Sequence, residues 1–245
     1  SKLSNGKNAG QGALMDDDRV IITTGSRSPA SVARWAGTLG VLIPAGAIPI
    51  YPIWLFPSTQ TSGAEIARWA SAHHDRLVAS QLLYTVGVGL WLVFTAAVWT
   101  HLRDRLPAGS SLAAGFGVGF VSVVTLILGG FTVFNVQIYR PRSAELSTLL
   151  YDLAFGTLAM SGIPAAVALG CFAIAVYRHR VMRRSTAHVA VAAAVAHVLL
   201  LVAFIAQTGP LSLQGFLVVW GIPLLLFAWI GHTASTIAAE TVAGT

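Results

Sequence analysis

Windows of about 20 apolar residues recur along this chain, the length an α-helix needs to cross the hydrocarbon core of a bilayer. A soluble core does not need runs this long. A transmembrane β-barrel would show alternating segments of about ten residues instead, and the sequence has none. Of 245 residues, 55% are hydrophobic and only 10% charged, against roughly 25% charged in an average soluble domain. The pattern predicts an all-α fold, a polytopic transmembrane helical bundle.

Six spans are predicted, at residues 35–56, 80–100, 112–139, 147–184, 188–207 and 211–230. They form one transmembrane domain over residues 35–232, between an N-terminal tail (1–34) and a short C-terminal tail (233–245). The first tail is polar and reads as flexible. Met15 and the three aspartates after it resemble a native start, so residues 1–14 read as an upstream extension. No secretory signal peptide is read ahead of the first span.

Pro44, Pro49 and Pro52 break or kink span 1, which fits both an ordinary kinked helix and a discontinuous, ligand-lining one. Gly162-Ile163-Pro164 interrupts span 4. Gly115 and Gly119 in span 3 permit close helix packing. Between spans 1 and 2, Ile66, Trp69, Ala70 and His73 fall at helical spacing. This predicts a short amphipathic helix at the interface with Trp69 at headgroup level. Thr208-Gly209-Pro210 reads as a tight turn.

Six spans place both termini on one side, and the basic residues say which. Eleven Lys and Arg lie in the N-terminal tail, the 2–3 loop and the 4–5 loop; four lie on the other side. The positive-inside rule assigns both termini to the cytoplasm and the protein to the inner (plasma) membrane. The same rule accounts for the net charge of +6 without nucleic acid, since no basic run is interleaved with aromatics.

Polar residues gather at the opposite, outer ends of the spans: Gln81 and Tyr84, Asn135 and Gln137, Tyr151 and Asp152, Gln207 and Gln214. Arg140 and Arg142 follow in the 3–4 loop. Two readings fit. Polar groups at membrane depth usually line a bundle interior or a wet cavity, while helix ends at headgroup level tolerate them at little cost. Asp152 is the sharpest of these residues, a candidate acid that Arg140 or Arg142 can also reach as a structural ion pair. His197, near the middle of span 5, must hydrogen-bond to something. It reads as interhelical glue or as a catalytic group. The candidate catalytic residues are Asp152, His197 and Tyr151; the candidate substrate-binding residues are Tyr84, Gln81, Asn135, Gln137 and Arg140.

Several chemistries lack their motifs. His73-His74-Asp75 are consecutive and cannot all grip one ion from a helix, and no HExxH or CxxC is present, so no metal is expected. Cys171 is a lone cysteine, which forms no intrachain disulfide. No lysine lies in a span, which excludes a retinal Schiff base. There is no P-loop, dinucleotide fingerprint, arginine-rich voltage sensor or selectivity filter. No cofactor is expected. A weak parallel repeat links Ser80-Gln81-Leu82-Leu83-Tyr84 to Ser147-Thr148-Leu149-Leu150-Tyr151. Duplication and chance in apolar sequence both produce such a match.

The stretches Leu90-Trp91-Leu92-Val93-Phe94-Thr95-Ala96-Ala97 into His101-Leu102-Arg103, Tyr151-Asp152-Leu153-Ala154-Phe155 and Ser161-Gly162-Ile163-Pro164 resemble a broad group of uncharacterised multispan membrane proteins of actinobacteria. The resemblance covers roughly residues 35–235. It implies the six-helix layout and brings no activity, cofactor or site residue. The leading expectation is an outward-facing pocket for a lipophilic small molecule, in a binding protein or a cofactor-independent isomerase or cyclase. The alternatives are an accessory subunit with membrane-protein partners, and a small-molecule transporter. The lipid bilayer is a partner in each case.

Overall fold

The computed structural model describes residues 29–243, and the side chains of residues 30–239. Residues 1–28 of the predicted tail lie outside the described residues. All regular structure among those described is helical. The elements are α1 (Pro29–Ala47), α2 (Gly63–Ala72), α3 (His74–Arg105), α4 (Leu112–Tyr139), α5 (Ala144–Met160), α6 (Gly162–His179), α7 (Arg184–Val198) and α8 (Ile222–Ala243). Five helical segments are long and apolar enough to cross a membrane, with α5 and α6 counting as one. This is the pattern of a multi-pass membrane protein.

Span 3 falls on α4 residue for residue. Other boundaries differ: α3 runs from His74 to Arg105 where the sequence predicts 80–100, and the largest differences fall at span 1 and around span 6. Predicted span 1 extends to residue 56, but α1 runs from Pro29 and stops at Ala47, two residues before Pro49. Proline there has no amide hydrogen to continue the ladder. Helix α1, at 19 residues, is not among the five segments that are both long and apolar enough. The connection after span 5 is a run of turns over residues 205–216, longer than a tight turn, with Gly209 at φ 89°. Helix α8 continues through residues 233–243, beyond the predicted end of span 6.

Pro164 is the third residue of α6. It cannot donate back to the preceding turn, so α5 ends and α6 begins at Ser161. The Ser161 hydroxyl donates to Leu158 O at 2.7 Å, satisfying one carbonyl at the break. Ser62 and Glu65 form a capping box that starts α2, satisfying two otherwise unpaired amides.

Helix α1 packs along α3 and α8; α4 sits between α3, α5 and α6; α7 joins α6 to α8. Trp91 Nε1 donates to Gly40 O at 2.9 Å and ties α3 to α1. The GxxxG face of α4 lies on α6, where a Cβ on Gly115 would meet Cys171 Sγ at 2.7 Å and one on Gly119 would meet Ala168 at 3.0 Å.

The two ends of the bundle are built differently. The end carrying Arg103, Arg105, Arg178, Arg183 and Arg184, the arginine end, is filled by Phe94, Phe116, Phe120, Phe172 and Trp229. All five are fully buried. The other end is covered by the α1–α2 linker, residues 48–62, and by α2, over a separate cluster that includes Tyr51, Ile66, Phe134, Tyr151 and Phe155. We call it the linker end.

Candidate functional site: a capped apolar cavity at the linker end

A cavity of about 280 Å³ lies inside the bundle on the linker side of Trp91. That volume is at the lower edge of small-molecule pockets. Its walls are apolar side chains of α1, α3, α4, α5 and α8, among them Val41, Val88, Ile127, Leu158 and Phe227. Irregular backbone forms the rest. The α7 helix gives way to a 3-10 segment at Leu199–Phe204, and a π-helical turn at Leu217–Gly221 precedes α8. These segments bring Leu200, Val218, Val219 and Trp220 to the wall. Tighter and looser turns of this kind recur at functional sites.

Few polar side chains reach the lining: Gln81 and Tyr84 from α3, Ser161 at the α5–α6 break, His197 from α7, and Trp220 through its indole N–H. His197 is 3% exposed. Its Nδ1 lies 2.7 Å from the carbonyl oxygen of Ala193, one turn back. A carbonyl only accepts, so Nδ1 carries the proton. Nε2 is then a lone-pair acceptor, and it has no partner among the described residues. The expected link to a neighbouring helix is thus a bond within α7. Gln81, 5% exposed, makes no hydrogen bond among the described residues, and its Oε1 is buried. The indole nitrogen of Trp220 is also buried without an acceptor. Native proteins leave few buried polar groups unpaired; Gln81 and Trp220 belong to this lining, and others, such as those of Trp35, Thr85 and Trp229, lie outside it.

Helix α6 starts hard against the end of α7. A Cβ on Gly162 would collide with the carbonyl oxygen of His197. Glycine is what lets the α5–α6 break sit beside the histidine.

Aromatic rings cap the cavity. Phe56 stacks on Phe134 at 5.3 Å between centroids and meets Trp69 at 5.1 Å; Tyr151 meets Phe155 at 4.8 Å. Phe56, Phe134 and Phe155 belong both to this cluster and to the cavity wall. Hydrogen bonds hold the linker in place. Tyr151 Oη donates to Pro57 O at 2.6 Å, Trp69 Nε1 to Tyr51 Oη at 2.7 Å, and Arg76 Nε to Ile50 O at 2.8 Å. Trp69, expected at headgroup level, turns its ring onto Tyr51 and Phe56.

The structure brings together Gln81, Tyr84 and His197 of the predicted site residues. It separates the others. Tyr151 is fully buried, and its hydroxyl, which also accepts from Gln214 Nε2 at 3.3 Å, is committed to the linker. Asp152 is next to it but not in the lining; one carboxylate oxygen is buried without a partner. Among the described residues neither Arg140 nor Arg142 pairs with it, because Arg142 turns back to Val136 O. Gln137 and Arg140 line a second, smaller cavity, and Asn135 lines neither. Ser161, Trp220 and the aromatic cap were missed. Their signals were Pro164 for the break and a tryptophan near the start of a span for the π turn.

Among the described residues, no three His, Cys, Asp or Glu side chains converge as a metal site would require. Comparison with protein-family models, with curated proteins and with solved structures finds no match to this chain, so the meaning of the cavity rests on its own chemistry.

Proposed function

We propose that this chain is a six-span plasma-membrane protein, with both termini cytoplasmic, that binds an uncharged lipophilic molecule carrying a hydroxyl or similar donor. The carrying observation is the capped cavity, apolar throughout except for a few unpaired polar groups. The absence of Asp, Glu, Lys and Arg from its lining supports an uncharged ligand, since a buried charge without a partner is strongly disfavoured. The lone pair on His197 Nε2 calls for a donor. Gln81 offers both functions. The distribution of arginines supports the orientation, and the packing of α1 along α3 and α8 supports counting it as a sixth span.

Binding is better supported than turnover. An isomerase or cyclase moving a proton needs an acid at the substrate, and Asp152 does not line the cavity. Transport is less supported still, because the aromatic core at the arginine end closes the bundle beyond Trp91.

A set of bromine-tipped eleven-carbon chains tests this in nanodiscs. They end in an alcohol, a carboxylate or a quaternary ammonium, and the bromine quenches Trp91 and Trp220. The alcohol should quench at concentrations roughly tenfold below the charged analogues. Ala159→Leu, which fills the cavity, should abolish the difference. His197→Leu should weaken the alcohol about fivefold, the worth of one hydrogen bond, while His197→Gln keeps an acceptor and much of the affinity. Equal quenching of wild type and Ala159→Leu would remove the cavity as the site.

A further inference from the structure

We infer that a second site, at the rim of the linker end, binds a phosphate group, and that its source is the headgroup of an anionic phospholipid. This site is independent of the lipophile cavity. It is a cavity of about 240 Å³ between α2, the start of α3 and the end of α4, lined by Ser71, His74, Gln137, Arg140 and Arg142 among others.

Two arginines contribute to its lining and no carboxylate does. Arg140 has no ion pair among the described residues. Arg142 donates through Nε and Nη2 to Val136 O, at 3.1 and 2.6 Å, which holds its guanidinium at the end of α4 with Nη1 left over. The nearest acidic partner of a lining residue is Asp75, 2.9 Å from His74 Nδ1, and it is fully exposed.

Gln137 is the second observation. It is 1% exposed, and neither its amide nitrogen nor its amide oxygen has a hydrogen-bond partner. An unpaired buried amide is costly, and this one belongs to a cavity lining that also holds two arginines and no carboxylate. Its NH₂ can donate to the same oxygens that the guanidiniums attract. Arginine forks suit phosphate oxygens in particular.

Place selects the lipid source. Tyr139, 75% exposed, lines the same cavity, and the neighbouring Leu146 and Leu149 of α5 are also exposed. An aromatic and apolar surface beside two arginines is the makeup of a membrane–water interface.

Native mass spectrometry of the full chain, released from nanodiscs of mixed dioleoyl phosphatidylglycerol and dioleoyl phosphatidylcholine, tests the inference. Wild type should retain phosphatidylglycerol over phosphatidylcholine. The Arg140→Gln/Arg142→Gln pair should lower that retention roughly tenfold, the worth of a charge-assisted bond. Gln137→Leu should lower it too, while leaving the melting temperature equal or higher, since it removes an unpaired amide. Glycerol phosphate in detergent separates the sources. If it competes with the lipid at equal concentration, the phosphate recognition stands and a soluble phosphomonoester shares it. Phosphatidylglycerol retained equally by wild type and by both sets of variants would overturn the site.

Discussion

The arginine half of this bundle is filled by an aromatic core, whereas the linker half holds a cavity. In the arginine half, α3, α4, α6 and α8 run as regular helices, and small residues bring them close. Phe94, Phe116, Phe120 and Phe172 then meet around Trp229, with ring centroids 5.1 to 6.0 Å from it. Four interruptions of the helices fall in the linker half. Helix α1 stops before Pro49, the α5–α6 break sits at Ser161, α7 tightens into 3-10 geometry, and α8 begins with a π turn. Each displaces a helix from the line that would let side chains interdigitate. Hollowness here accompanies backbone breaks; Ser161 and His197 stand beside one of them, while Gln81 and Tyr84 reach the cavity from the unbroken α3.

Truncating a ring in each half breaks or confirms the contrast most directly. Trp229→Ala should lose about 3–5 kcal/mol, the cost of emptying a packed aromatic site, read as a large drop in melting temperature in detergent. Phe131→Ala, in the cavity wall, should cost markedly less because its ring already faces open space on one side. Equal losses would mean that the cavity closes up in solution and the halves do not differ.

A smaller effect is expected where the halves meet. Gly162→Ala would drive a methyl into the His197 carbonyl and should cost about 1–3 kcal/mol as overpacking. It should also displace His197, weakening the alcohol probe. Gly170→Ala, further along α6 with nothing within 4 Å, should be neutral or stabilising by up to about 1 kcal/mol through helix propensity alone. If the two substitutions behave alike, the close approach at the break does not position the histidine.

The sequence made the helices legible and the cavity only partly so. Span 3 could be bounded because Pro107 and Pro141 flank it and no proline interrupts it. Span 1 could not, because the stretch at 48–56 is as apolar as the helix it adjoins, while its prolines direct it into turns. Gln81, Tyr84 and His197 stood out as polar residues in apolar runs. Asp152 stood out more, because a charge is the strongest signal of all. The cavity lining from α5 is formed by Ala154, Phe155, Leu158 and Ala159, and Asp152 is not part of it. In a membrane both the interior and the lipid side of a helix are apolar, so hydropathy cannot tell which way α5 is turned.

The least disruptive test concerns the cap. Tyr151 was a candidate catalytic residue, and its hydroxyl instead bridges Pro57 O and Gln214. Tyr151→Phe retains the ring in its aromatic cluster and removes only those bonds. It should cost about 1 kcal/mol, with faster proteolysis or hydrogen exchange confined to residues 48–62. The melting temperature of the arginine half should barely move, since its core is a separate cluster. Alcohol quenching should keep its affinity while its on-rate rises, because the linker covers the cavity without supplying the acceptor. Loss of affinity with an unchanged linker would instead place the Tyr151 hydroxyl on the ligand, and the division between a pinned cap and a binding wall would fall.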